Sequence, residues 1–168
     1  METKVVLDAT VAPIKRNRKI TLTVQASDLF KADTSTKHKM QKEVDDNTSI
    51  ENDGGYTLPY KQPKKDFYTD VYKNFEVTWD ILLSSPNGAD KGYVLKLVNI
   101  DQDSSSGNPN LFQKNPLISD DDGKTIHGKV KISDRITPDT YYVHFTITNP
   151  EGKTNPVYTL DPKLRGNP

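Results

Sequence analysis

The stretch Phe75-Glu76-Val77-Thr78-Trp79-Asp80-Ile81-Leu82-Leu83 decides the fold. In an extended chain Phe75, Val77, Trp79, Ile81 and Leu83 share one face. Glu76, Thr78 and Asp80 share the other, where Leu82 is the lone apolar residue. A period of two with one polar side is the pattern of a half-buried strand whose outer face meets water. Trp79, mid-strand on the apolar side, is expected in the core.

The same period extends in both directions. Ser84-Ser85-Pro86-Asn87-Gly88 reads as a turn. Residues 93–100 are apolar on both faces apart from Lys96 and Asn99, which places that strand centrally in a sheet. Ile126, Gly128, Val130 and Ile132 form a short alternating set, and Tyr141, Val143, Phe145 and Ile147 alternate with Tyr142, His144, Thr146 and Thr148. Asn149-Pro150-Glu151-Gly152 is turn chemistry, so residues 157–160 return as the second strand of a hairpin. Upstream, Val5, Leu7, Ala9 and Val11 share a face until Pro13 stops the strand, and Ile20, Leu22 and Val24 then alternate with Thr21 and Thr23. Short strands separated by turns, with no long amphipathic helix, predict an all-β fold, an antiparallel β-sandwich of Ig-like or jelly-roll-like type, built as a single domain over residues 1–168.

Residues 31–65 break the pattern as a long polar excursion between early strands. They are rich in Lys, Asp, Asn, Ser and Thr and carry Asp53-Gly54-Gly55, Pro59 and Pro63. So long a structureless loop is uncommon in a compact domain. The expectation is a polar loop or a partly helical insertion, with a helix around residues 37–44. Tyr56, Tyr60, Tyr68 and Tyr72 lie in or just after it amid charge, in the manner of adaptable contact surfaces. The alternative is that these rings pin the excursion to the sandwich.

Composition narrows the chemistry. With 23 Lys+Arg against 23 Asp+Glu the formal net charge is zero, so no nucleic-acid partner is expected. Cysteine is absent, which removes disulfides, zinc-thiolate sites and cysteine nucleophiles. Hydrophobic residues make up 33%, a lean core even with glycine added, against a usual ~45–50%. Met1-Glu2-Thr3-Lys4 opens no secretory signal, and no apolar run approaches the ~18 residues of a membrane span. The expectation is a cytoplasmic protein, or one exported without a cleavable signal peptide.

No motif for catalysis stands out. His38, His127 and His144 are scattered, and no G-x-S-x-G, H-E-x-x-H or phosphate-loop frame is present. Asp101-Gln102-Asp103-Ser104-Ser105-Ser106-Gly107 resembles a calcium loop, but its glycine is one place late and Phe112 stands where a bidentate Glu belongs. A calcium site of another kind, drawn from Asp101, Asp103, Asp120 and Asp122, stays open beside the reading of Asp120-Asp121-Asp122 as a solvated hairpin tip. No other cofactor is implied. Lys15, Arg16, Arg18 and Lys19 form the one dense basic cluster, either a soluble hairpin tip or a patch for an acidic surface. Its sign is opposite to that of residues 101–122, which suggests head-to-tail self-association.

The order Val77-Thr78-Trp79, Leu82-Leu83-Ser84, the strand over 93–100, a long loop with Phe112 and Pro116, and a last hairpin closing at Leu160-Asp161-Pro162-Lys163-Leu164 resembles the PixA/AidA-type inclusion-body protein family. The likeness covers about residues 75–165, while residues 31–65 lack that family's usual N-terminal features. The resemblance implies a small cytoplasmic β-sandwich, without established catalysis and prone to self-assembly, and it assigns no functional residue.

Two functions are consistent with these observations. The first is a non-catalytic protein acting through self-association or protein–protein contacts. The second is a carbohydrate or small-ligand binding module, calcium-assisted or not, in which Tyr68, Tyr72 or Tyr142 stack on a glycan and Asp101 and Asp103 supply polar contacts. An enzyme is not expected.

Overall fold

The computed structural model describes residues 14–103, 105, 110–131 and 137–168, with the backbone alone at 137 and 138. The strand expected over residues 4–11, Ile132, and residues 104 and 106–109 of the loop after Asp103 lie outside the described residues.

Two sheets pack face to face. The first has the order β3-β2-β1-β5-β8, from β1 (Arg18–Val24), β2 (Thr48–Asn52), β3 (Thr57–Leu58), β5 (Glu76–Leu83) and β8 (Thr125–Lys129). The second has the order β4-β11-β9-β6-β7, from β4 (Tyr68–Tyr72), β6 (Val94–Gln102), β7 (Leu117–Ile118), β9 (Thr137–Thr148) and β11 (Lys163–Asn167), with β10 (Tyr158–Leu160) also paired to β9. The all-β sandwich is as expected, with one refinement. β1 runs parallel to β5, setting Ile20 beside Trp79, and β11 runs parallel to β4. The sheets are therefore mixed.

Alternation builds the core. Ile20, Leu22 and Val24 of β1 and Val77, Trp79 and Ile81 of β5 are buried, as are Leu95, Leu97 and Ile100 of β6 and Tyr141, Val143, Phe145 and Ile147 of β9. Trp79 is 2% exposed. Its indole N–H donates to the Tyr141 hydroxyl at 3.2 Å, and its ring meets Tyr141 and Phe112 edge-on, with centroids 5.7 and 5.6 Å away. Gly128 lets β8 close over this cluster, because a Cβ there would lie 2.5 Å from Leu117 Cδ1 and 2.8 Å from Phe112 Cδ1. β6 lies between β9 and β7 as expected, yet its outer face is open: Val94 and Val98 are exposed, and Val98 falls in a register shift between Leu97 and Asn99.

The polar excursion is partly helical. α1 (Ala26–Lys31) leads into α2 (Lys37–Asn47), whose first turn is capped by Thr36 Oγ1 accepting from the Lys39 N–H at 3.2 Å. The excursion also contributes β2, which the polar composition of Thr48-Ser49-Ile50-Glu51-Asn52 conceals. It is pinned from within by Lys64, a fully buried lysine in a 3-10 turn (Lys64–Asp66). Its ammonium donates to the carbonyls of Asp45 (2.9 Å), Pro59 (3.2 Å) and Gln62 (2.5 Å). Burial pushes that amine down to about 8.

Candidate functional site

The tyrosines named from the sequence divide by burial. Tyr72 is buried at the end of β4, which corrects its assignment to a contact surface. Tyr60 donates from its hydroxyl to Ser84 Oγ at 2.9 Å and so ties the excursion to the end of β5. Tyr56 and Tyr68 remain on the surface, 36% and 45% exposed. The Tyr56 ring stacks on the buried Phe67 ring at 5.3 Å and tilts against Tyr68 at 5.4 Å.

The Arg165 guanidinium, on β11, lies 5.1 Å over the Tyr68 ring and grips Asp70 with two hydrogen bonds of 2.5 and 2.7 Å. It thereby holds the Asp70 carboxyl below the usual range. Asn167 Nδ2 adds a third bond to Asp70 at 3.1 Å. β4 is an edge strand, and an open edge invites pairing with another chain. Here it is plugged: Arg18 Nε donates to the Asp70 carbonyl at 3.1 Å, and Asn52 Nδ2 reaches the Tyr68 carbonyl at 3.4 Å and Thr69 Oγ1 at 3.0 Å. Arg18, Asn52, Gly54, Tyr56, Tyr68 and Asp70 line a polar cleft of about 190 Å³ where the two sheets meet. The result is a rigid Tyr–Arg platform that presents side chains rather than backbone.

The basic cluster is engaged within the chain. Arg16 donates to the Asp53 carbonyl at 2.6 Å, Arg18 pairs with the Asp53 carboxylate at 3.6 Å, and Lys19 pairs with Asp80 at 2.8 Å. Lys15, Arg16 and Lys19 stay exposed, but Arg18 and Lys19 are paired with carboxylates, so the patch expected for an acidic surface is neutralised in part at home. Its counterpart, the acidic group, is also dispersed. Asp101 lies near the end of β6 opposite Tyr142 and Asp103 just beyond it beside Thr140, whereas the turn of Asp120 and Asp122 meets β6 at Leu97. Four residues of strand put about 13 Å between them. Asp120 and Asp122 instead accept the Lys124 N–H at 3.1 and 2.8 Å, stabilising their own turn. This corrects the calcium assignment. Among the described residues no group of three or more His, Asp or Glu side chains is placed to hold a metal ion.

A second concavity lies on the outer face of the β9–β10 pair, walled by α2. Lys37, Met40, Gln41, Tyr142, His144, Thr159 and Asp161 enclose about 390 Å³. His144 Nε2 lies 3.2 Å from the Asp101 carboxylate and its Nδ1 lies 2.9 Å from Thr159 Oγ1, so both ring nitrogens are held. Burial, and then the negative charge of Asp45, raise the Asp161 carboxyl. Burial and the facing Asp103 carboxylate likewise raise the Tyr142 phenol.

Sequence reading found Tyr56, Tyr68 and Arg18 but missed Arg165, Asp70 and Asn52, which complete the platform. Arg165 and Asp70 lie 95 residues apart in sequence and meet only through the parallel β4–β11 pairing. No local signal marks that contact.

The architecture and its aromatic edge define a two-sheet β-sandwich with a helical excursion. No family model matches the sequence, and no curated protein is similar to it. In structure the chain is similar to an inclusion body protein (PixA) from Burkholderia cenocepacia J2315, with a TM-score of 0.57 and 6% sequence identity over 94% of this chain and 99% of that one. The likeness noted in residues 75–165 thus holds for the fold of nearly the whole chain. No helix among the described residues is long and apolar enough to cross a membrane.

Proposed function

We propose that the protein is a non-catalytic β-sandwich that acts by self-association, with the Tyr56–Tyr68–Arg165 platform as its contact surface. The observation that carries this reading is that two exposed tyrosines and an arginine are locked in place before any partner arrives. Tyr and Arg dominate binding energy at protein interfaces, and a surface that is already rigid loses little entropy on docking. Arg165 and Lys163 stand beside Asp66 and Asp70 on the same surface, so a second copy related by a two-fold axis meets opposite charges. The fold shared with an inclusion body protein points the same way.

The test is solution mass by light scattering across a wide concentration range, for the native chain and for Tyr68→Ala. A native mass that rises with concentration to a dimer or larger particle, and a Tyr68→Ala mass that stays monomeric, is the expected result. A native chain monomeric throughout overturns the reading, as does a variant that assembles equally well.

A further inference from the structure

The groove between α2 and the outer face of β9 and β10 shares no lining residue with the platform. We infer that it is a binding site for the ring of a neutral sugar. Its volume of about 390 Å³ lies in the range of small-molecule pockets, and its lining combines two kinds of surface. Tyr142 and the Met40 thioether offer apolar area suited to the C–H face of a pyranose. Around them, Gln41, Lys37 and Asp161 line the space with polar ends. The Asp161 carboxylate hydrogen-bonds its own backbone N–H and lies within the fields of Asp45, Lys65 and Lys163.

A sugar hydroxyl both donates and accepts, so one vicinal pair satisfies a carboxylate and an amide or ammonium together. The floor is fixed in advance, because His144 is held on one side by Asp101 and on the other by Thr159. Charge argues for an uncharged ligand. Asp161 and Asp45, with Asp101 on His144 and Asp103 facing Tyr142, repel anions. Lys37 on the wall, and Lys65 and Lys163 acting on Asp161, offset the attraction for cations. A purely apolar ligand would leave Asp161, Gln41 and Lys37 without partners, which is costly.

The experiment is saturation-transfer difference NMR on the full chain with glucose, galactose, mannose and N-acetylglucosamine, each measured alone, and with spermidine and acetate as charged probes. At least one sugar is expected to bind, with affinity reduced roughly tenfold by Tyr142→Ala and by Gln41→Ala and unchanged by Tyr68→Ala. Gln41→Ala sits on a helix where alanine is well tolerated, so it decides the matter should Tyr142→Ala fail to fold. The inference is overturned if none of these sugars binds, if spermidine or acetate binds in their place, or if binding survives Gln41→Ala unchanged. Because Tyr68→Ala leaves this groove intact, failure here is separable from failure of self-association.

Discussion

The molecule contains two aromatic clusters built on opposite terms. Around Trp79, three rings meet edge-on inside the sandwich, and the indole N–H and the Tyr141 hydroxyl bond to one another. Around Tyr56, the rings stack outward from Phe67 with an arginine laid over Tyr68, and two of the three face solvent. The inner cluster uses its aromatic area to exclude water. The outer one spends a pinned ring, a plugged strand edge and a bidentate Arg165–Asp70 pair on keeping aromatic area exposed and still. Folding alone gives no reason to immobilise exposed tyrosines, and that contrast supports a contact surface.

The comparison breaks most violently at its inner half. Trp79→Ala removes the ring that joins Tyr141 to Phe112 and is expected to cost about 3–5 kcal/mol, measured by urea unfolding of the native chain and the variant. A loss under about 1 kcal/mol would mean that the inner cluster is not the centre of the core.

A smaller effect sharpens the inner half. Asp139 lies two residues before Tyr141 on the same buried face of β9, and burial pushes its carboxyl up to about 7. The folded state then holds a proton that the unfolded state releases near pH 4. Stability contributed by this group is therefore full below about pH 4 and falls as pH rises to about 7. Melting temperature followed through that window should decline by this component, and Asp139→Asn should flatten the slope. An unchanged slope in the variant would show that the carboxylate is not desolvated.

The smallest expected effect lies at the outer cluster. Tyr68→Ala should cost less than about 1 kcal/mol in the monomer, because the ring is 45% exposed and exposed contacts contribute little. A cost as large as that of Trp79→Ala would turn the platform into core and remove its claim to be a surface for partners.

What could be read in the sequence follows from the same contrast. β1, β5 and β9 were legible because each carries buried residues at every second position, which also placed Trp79 correctly, and β6 because its run is apolar on both faces. β2, β4 and β11 were not. Thr48–Asn52 is polar for its length, Tyr68–Tyr72 reads as a tyrosine patch, and Lys163–Asn167 mixes charge with Gly166. Parallel pairing of β1 with β5 and of β4 with β11 joins segments far apart in the chain and leaves no local trace. The site was half legible. Tyr56, Tyr68 and Arg18 were visible as residue types, while Arg165 and Asp70 acquire meaning only through the β4–β11 register. Tyr142 and His144 were likewise each visible, but only the packing of α2 against β10 makes a groove of them.

The most direct test of the outer cluster's role uses the absence of cysteine. Asp66→Cys places the chain's single thiol beside Tyr68, and Asp121→Cys places it instead on the turn between β7 and β8. Each variant is oxidised at a concentration where the native chain is associated, and disulfide-linked dimer is measured on a non-reducing gel. Self-association through the platform predicts rapid cross-linking of Asp66→Cys and little of Asp121→Cys. Equal cross-linking of the two, or none from Asp66→Cys, would contradict it.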